Sequence, residues 1–367
     1  MMNKIKISNH QLFALVANFT IGTTIINASS GVAGLAKQDA WISALIAPVI
    51  GLPFIWMYYE LGKLYPGKTL IEIIGSVFGK WFGWIVSAIF VLFVCLLDAT
   101  QVVTYIGNFM QTEYMTETPL YALNLLVIIA LTIGLLYGLE AIARSAEVFV
   151  FTITVLIIFA MAMDIPNIKI ENLLPIFEEG VTPALKGMFH LSSYMTWPLI
   201  VLLFIYPINI NDTLKARHSL FFGYLFGAGI NFICTTMSIM VLGAAITAKS
   251  NYPTYLLAKE IDVGTISRIE GIVAGAWILS EFIKTILYYY AGVIGLSQLL
   301  GLNDYKRMVL PLSLVMLVLS GIVYPDIAYQ STWDNIIWIP FITTFGAVLP
   351  IVLLLVSKIQ LEDKLKE

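Results

Sequence analysis

Charge is what this sequence lacks. Of 367 residues, only 12% are Asp, Glu, Lys or Arg, against roughly 25% in a soluble domain. Cysteine is scarce too. Cys95 and Cys234 both lie in apolar runs, which argues against a disulfide framework. The three histidines, His10, His190 and His218, are scattered and none stands in ligand spacing, so neither a metal site nor a cofactor is expected. A net charge of −3 gives no reason to expect nucleic acid. There is no phosphate loop and no nucleophile motif, so nothing supports an enzyme. The opening MMNKIKISNHQ runs into an apolar segment without a small-residue cleavage site, so no cleavable signal peptide is expected.

What is present is apolar sequence from end to end, 59% of the chain. The solvent for such a chain is lipid. A helix needs about 20 apolar residues to cross a bilayer. Ten stretches qualify, over 9–36, 41–63, 79–110, 118–139, 145–163, 184–206, 217–247, 265–300, 307–324 and 336–357. The first opens on Ser8-Asn9-His10-Gln11, which has capping-box spacing. Pro119, Pro183 and Pro325 fall near span boundaries, where proline belongs. With the N-terminus inside, 13 Lys and Arg fall on inner segments and 6 on outer ones. That asymmetry puts both termini in the cytoplasm.

The first span carries Asn18 to Gly31, NFTIGTTIINASSG, at mid-depth. Its two glycines, three threonines, two serines and two asparagines are poor helix formers. Irregular backbone survives in hydrocarbon only where protein buries it or a wet cavity lines it. Gly22, Gly31 and Gly34 ease a departure from helix, and Thr23, Thr24, Ser29 and Ser30 can satisfy freed backbone groups. A straight helix packed closely through small residues is the alternative. The sixth span favours a break. It reads His190-Leu191-Ser192-Ser193-Tyr194-Met195-Thr196-Trp197-Pro198, and an interior proline removes a helix bond. Paired interruptions in corresponding spans point to an inverted-repeat fold with a midplane site.

The expected fold is therefore an all-α integral membrane protein of ten transmembrane helices. Two inverted five-helix repeats, 1–163 and 184–357, make one polytopic domain over 1–367, with helices 1 and 6 broken. The first half-helix would aim carbonyls into the pocket, and the continuation near Ser30–Ala36 would aim N–H groups there. A zwitterionic amino acid fits both ends; a neutral polar solute could use the same groups. Ionisable residues at depth are functional candidates. Asp98 shares a helix face with Gln101 and Tyr105, with Leu97 beside it. Glu281 and Lys284 stand three apart, able to pair, with Thr285 and Tyr288 on the same side. Either they neutralise each other structurally, or Lys284 lies on carbonyls of the first span in place of a coupling cation. Glu140, Arg144, Glu147, Glu60 and Glu270 sit near span ends and are expected to be interfacial.

Three stretches carry a resemblance when taken together. The first is Ala33-Gly34-Leu35-Ala36-Lys37-Gln38-Asp39-Ala40-Trp41-Ile42. The second is Leu64-Tyr65-Pro66-Gly67-Lys68-Thr69-Leu70, with Gly79-Lys80-Trp81-Phe82-Gly83. The third is Ile266-Ser267-Arg268-Ile269-Glu270-Gly271, with Trp277 beyond. The chain resembles the B subunit of the nutrient germinant receptors of bacterial endospores, the GerAB type, within the amino acid–polyamine–organocation transporter superfamily. The resemblance implies a sensor of a small nutrient germinant in the inner membrane of the spore. It also implies partnership with A-type and C-type subunits in the lipid bilayer. In such a fold, spans one, three, six and eight surround the ligand. By position the pocket would include Gly22, Phe93, Leu97, Lys284 and Tyr288, with Thr23, Thr24, Asp98, Gln101, Thr196 and Glu281 as further candidates. Two departures stand out. The family's Gly-x-Gly and proline in span one are replaced here by Thr23, Thr24 and the Ser29–Ser30 pair. Its span-six glycine and glutamate are replaced by Leu199-Ile200-Val201. A working amino-acid permease and a ligand-free scaffold are the competing expectations.

Overall fold

A backbone in hydrocarbon finds no water, so a chain this apolar must close its hydrogen bonds within helices. The computed structural model describes residues 6–26, 28–210, 213–260, 262–263, 266–267 and 269–366. Lys4, Asn27 and Arg268 lie outside the described residues. Among the described residues the chain is helical, apart from a two-residue antiparallel rung pairing Asp262–Val263 with Ile266–Ser267.

Eight helical stretches are long and apolar enough to cross a bilayer, where the sequence led us to expect ten. The two shortfalls have physical causes. The first span is split into α1 (Asn9–Ile21) and α2 (Ala28–Ala36). The ninth, α10 (Lys306–Ser320), has 15 residues. Between them run α3 (Ala40–Leu64), α4 (Lys80–Glu113), α5 (Leu120–Tyr137), α6 (Leu139–Met163), α7 (Thr182–Met195), α8 (Thr213–Leu242) and α9 (Glu270–Leu299). The last is α11 (Ala328–Glu362). The outward faces of α5 and α6 expose Leu126, Ile133, Val148, Phe151 and Ile158, an apolar coat suited to acyl chains.

Local chemistry sets the ends. Ser8 caps α1 in a complete capping box with Gln11. Pro119 precedes α5, and Pro183 sits in the first turn of α7. The inner loop expected after α5 shrinks to Gly138. Its φ of 92° turns the chain in one residue, a conformation glycine accepts without strain. Glu140 and Arg144 therefore lie on α6 itself, paired at 2.7 Å. His10 reaches Glu147 at 2.7 Å.

The two most recognisable motifs act as clasps. Asp39 accepts the Phe177 N–H on both carboxylate oxygens at 3.1 Å. Gln38 Nε2 donates to the Pro175 carbonyl at 2.8 Å, and Lys37 pairs with Glu179. Together they hold the 164–181 connection against the α2–α3 corner. In the second motif, Thr69 caps the short helix Leu70–Phe78 with Glu72 and bonds Gln298 on α9 at 2.8 Å. Tyr65 OH bonds Ser357 Oγ on α11 at 2.8 Å.

The threading places the Tyr65–Thr69 turn and the Asn251 connection at opposite ends of the bundle. Cys95 and Cys234 are buried, so background labelling is low. In sealed vesicles, single cysteines at Lys68 and Asn251 should react with an impermeant maleimide from opposite sides. Equal reactivity from one side would refute the threading.

Candidate functional site

Both expected breaks are present. The first span leaves α-helix at Gly22, makes one 3-10 turn over Gly22–Thr24 and resumes at Ala28. In the sixth, α7 ends at Met195, and an eight-residue 3-10 stretch follows over Trp197–Phe204. So long a 3-10 run is uncommon, because its hydrogen bonds are poorly aligned.

The two breaks satisfy their carbonyls differently. In the first, Thr24 Oγ1 donates to the Thr20 and Ile21 carbonyls at 2.8 and 2.6 Å. Asn231 Nδ2 also reaches Thr20 O, at 2.9 Å, and Thr254 Oγ1 caps Ile25 O. These carbonyls are occupied, contrary to the expectation that they would face the ligand. In the sixth, the Tyr194 carbonyl would ordinarily accept from the N–H four residues on. That residue is Pro198, which has none. Lys284 Nζ supplies the donor instead, at 2.9 Å. Trp338 Nε1 does the same for Ser193 O at 3.2 Å.

Lys284 does not bond Glu281, so the pair that their spacing allowed, one of the two alternatives, is not formed. Both Glu281 carboxylate oxygens are buried without a hydrogen-bond partner among the described residues. They lie beside Thr23 and Trp277 without reaching hydrogen-bond geometry. Nor does Lys284 reach the carbonyls of the first span. Its ammonium stands 5.3 Å from the centre of the Phe19 ring, and its stem crosses Gly22. A Cβ at Gly22 would lie 2.5 Å from Lys284 Cδ. Gly31 likewise makes room for His190: a Cβ there would lie 2.2 Å from Nε2. These two glycines are seats for side chains arriving from other helices.

Around Lys284 is a small chamber of about 20 Å³. Thr23, Asp98, Gln101, Lys284 and Tyr288 line it, all candidates from the sequence. Asp98 is 4% exposed. With its amide turned to satisfy both neighbours, Gln101 donates to Asp98 Oδ1 at 3.1 Å and accepts from Trp333 Nε1 at 3.0 Å. Asp98 Oδ2 has no partner among the described residues. The remaining candidates stand outside the lining. Gly22 is behind Lys284, and Thr24 is turned to its own backbone. Thr196 Oγ1 bonds Tyr224 OH at 2.7 Å. Leu97 is half-buried, while Phe93, one turn earlier, is 46% exposed on the outer surface.

Tyr194, Trp333 and Trp338 also line the chamber, and the sequence reading missed them as ligand contacts. Tyr105, noted only as a neighbour of Asp98, joins them. Trp333 opens a π-helical turn, Trp333–Ile337, before the expected start of the tenth span. Tyr105, Tyr194 and Thr23 also border a second, larger cavity of about 350 Å³. A hydrogen-bonded knot lies between the two cavities. Tyr105 OH donates to Asp334 Oδ1 at 2.5 Å and lies 2.9 Å from Tyr324 OH. Tyr194 OH donates to the Asp334 carbonyl at 3.0 Å.

Gly22→Ala should act through Lys284. It should lower the thermal midpoint of the purified chain by the loss of one charge-assisted bond, about 1.5–3 kcal/mol. In a Lys284→Ala background the same change should cost less than about 0.5 kcal/mol, because the clashing stem is gone. Additive costs in the double variant would disprove the coupling.

Residues 6–325 match the sequence profile of the family described as spore germination protein. The chain is 27% identical over 323 residues to spore germination protein KB of Bacillus subtilis (strain 168), covering 87% of this chain and 85% of that one. It is 27% identical to spore germination protein YndE of the same organism, covering 96% of each. Among solved structures, it is similar to Mhp1, a nucleobase-cation-symport-1 family transporter in a closed conformation with bromovinylhydantoin bound. The TM-score is 0.70 at 10% identity, over 95% of this chain and 78% of that one. It is also similar to MhsT in complex with L-phenylalanine, with a TM-score of 0.68 at 11% identity, over 96% and 99%. At these identities the likeness is one of fold, a transporter fold with its first and sixth helices broken. On the profile match across most of its length, the chain belongs to the spore germination protein family.

Proposed function

We propose that this chain is the nutrient-sensing membrane subunit of a spore germination receptor. A small germinant, an amino acid foremost, enters the chamber between the two broken helices. The observation that carries this reading is the chamber itself. It brings a buried carboxylate with a free oxygen, an ammonium and an aromatic wall to the two breaks. At about 20 Å³ it holds little more than one water, which needs about 10–15 Å³. A germinant can enter only by parting Tyr105, Tyr194, Trp333 and Trp338. Binding therefore favours a second conformation, and a ligand shifts an equilibrium only by such differential affinity.

In this proposal both termini face the cytoplasm, and the chain sits in the inner membrane of the spore. The halves 1–163 and 184–357 move against each other and pass the change to A-type and C-type subunits. A permease is the second reading. It is supported by the transporter fold and by the cavity that leads toward the chamber.

Asp98→Asn keeps the shape of the side chain and removes its charge. It should raise the nutrient concentration for half-maximal germination by tenfold or more, as expected from losing about 1.5–3 kcal/mol of charge-assisted bonding. Germination by a receptor-independent trigger should be unchanged. Uptake by vesicles containing this chain alone separates the two readings. Saturable, ion-driven accumulation of the germinant, abolished by Asp98→Asn, would replace the receptor with a permease.

A further inference from the structure

The larger cavity was not anticipated from the sequence, and its chemistry differs from that of the chamber. Asn251 and Tyr252, from the connection that follows α8, are among its lining residues. Five carboxamides line it: Asn108, Gln111, Asn251, Gln330 and Asn335. So does His190, which is 3% exposed and whose Nδ1 has no partner among the described residues. No Lys or Arg is among the lining residues. The one carboxylate there, Asp334, is engaged by Tyr105.

We propose that this vestibule is a binding site in its own right, for a neutral polyhydroxylated solute of monosaccharide size. Three of the carboxamides already give one amide hydrogen to the protein: Gln111 to Thr118 O at 3.0 Å, Asn335 to Ser331 O at 2.9 Å and Asn108 to Gln330 Oε1 at 3.4 Å. A carboxamide carries two donor hydrogens and an acceptor oxygen with two lone pairs, so each retains hydrogen-bonding capacity for a ligand. A hydroxyl is donor and acceptor at once, so a polyol can satisfy these groups without leaving a charge unpaired. A carboxylate or phosphate would meet no cation and would stand near the Asp334 carboxylate. Burying such a charge unpaired costs several kcal/mol. The volume of about 350 Å³ lies at the small end of ligand pockets, about 300–1,000 Å³. The walls also suit a solute that arrives before the chamber opens. Tyr105 and Tyr194 belong to both cavities, so a ligand here touches the hydrogen-bonded knot that the two cavities share. The inference rests on the sensing role proposed above and adds a second ligand class to it.

The test uses the full chain in lipid nanodiscs, with tritiated D-glucose, uridine, L-alanine and L-glutamate as probes. D-glucose or uridine should bind saturably, and L-glutamate should not. Gln330→Leu and Asn335→Leu should each raise the Kd of the neutral probe at least tenfold. A second readout tolerates a poorly folded variant. Asn335→Cys, labelled by a methanethiosulfonate reagent, should react at least threefold more slowly with the neutral probe present. The proposal is overturned by an absence of saturable binding of either neutral probe, by binding that both leucine variants leave unmoved, or by labelling that the probe does not slow. If only L-alanine binds, and Asp98→Asn abolishes it, the vestibule inference fails while the chamber reading stands.

Discussion

The Tyr194 carbonyl has no donor of its own, and the site is built around that deficit. Pro198 removes the N–H that would have closed the helix, and Lys284 reaches in from α9 to replace it. The lysine stem then requires Gly22 to have no side chain, and the ammonium rests over Phe19. One side chain thus joins both breaks to the eighth span. The magnitudes show that it does not act alone. A hydrogen bond to a charged group is worth about 1.5–3 kcal/mol, while burying an ion costs several. The carbonyl cannot by itself settle the ammonium. The nearby carboxylates of Asp98 and Glu281, neither bonded to it, must supply long-range attraction.

The first break draws its donors from its own Thr24, from α8 and from the short helix Pro253–Lys259. The sixth draws on α9, on α11 and on Tyr58 of α3, whose hydroxyl donates to Trp197 O at 3.2 Å and Gly346 O at 2.5 Å. A change in the chamber therefore reaches different helices through each break. Through the sixth it reaches α11, where Trp333 lines the chamber and Asp334 the larger cavity. Two further π turns, Phe90–Leu97 and Thr344–Val348, lie on the same two long helices that face the chamber. Wide turns of this kind recur at functional sites in other proteins.

The fold was legible because lipid permits so few solutions. Apolar length gave most of the spans, and Pro198 and the Gly22–Thr24 cluster gave the two breaks. Asp98, Gln101, Lys284 and Tyr288 were legible as chamber residues, because polar groups at depth need a reason. Partner choice was not legible. A spacing of three on α9 suggested that Lys284 would turn to Glu281. Only the three-dimensional path of the sixth span shows that an orphaned carbonyl lies within its reach. Trp333 was missed because the π turn begins before the apolar run that marks the tenth span, and Trp338, inside that run, was not distinguishable from an ordinary apolar span residue. Phe93 was misplaced because sharing a helix edge with Leu97 does not decide which side of that edge faces lipid. The Lys37-Gln38-Asp39 motif was recognisable in sequence, yet its role as a clasp on the 175–179 segment needed the fold.

The stretch from Trp197 to Phe204 has a mechanical meaning. A 3-10 helix rises about 2.0 Å per residue and an α-helix about 1.5 Å, so these eight residues span about 16 Å instead of about 12 Å. The sixth span is therefore longer here than an α-helix of the same residues would be. Relaxation of the segment to α-helix would shorten it by about 4 Å and rotate one end against the other by roughly 160°. A switch of this segment between the two helix types would change the length of the sixth span beside the carbonyl that Lys284 holds.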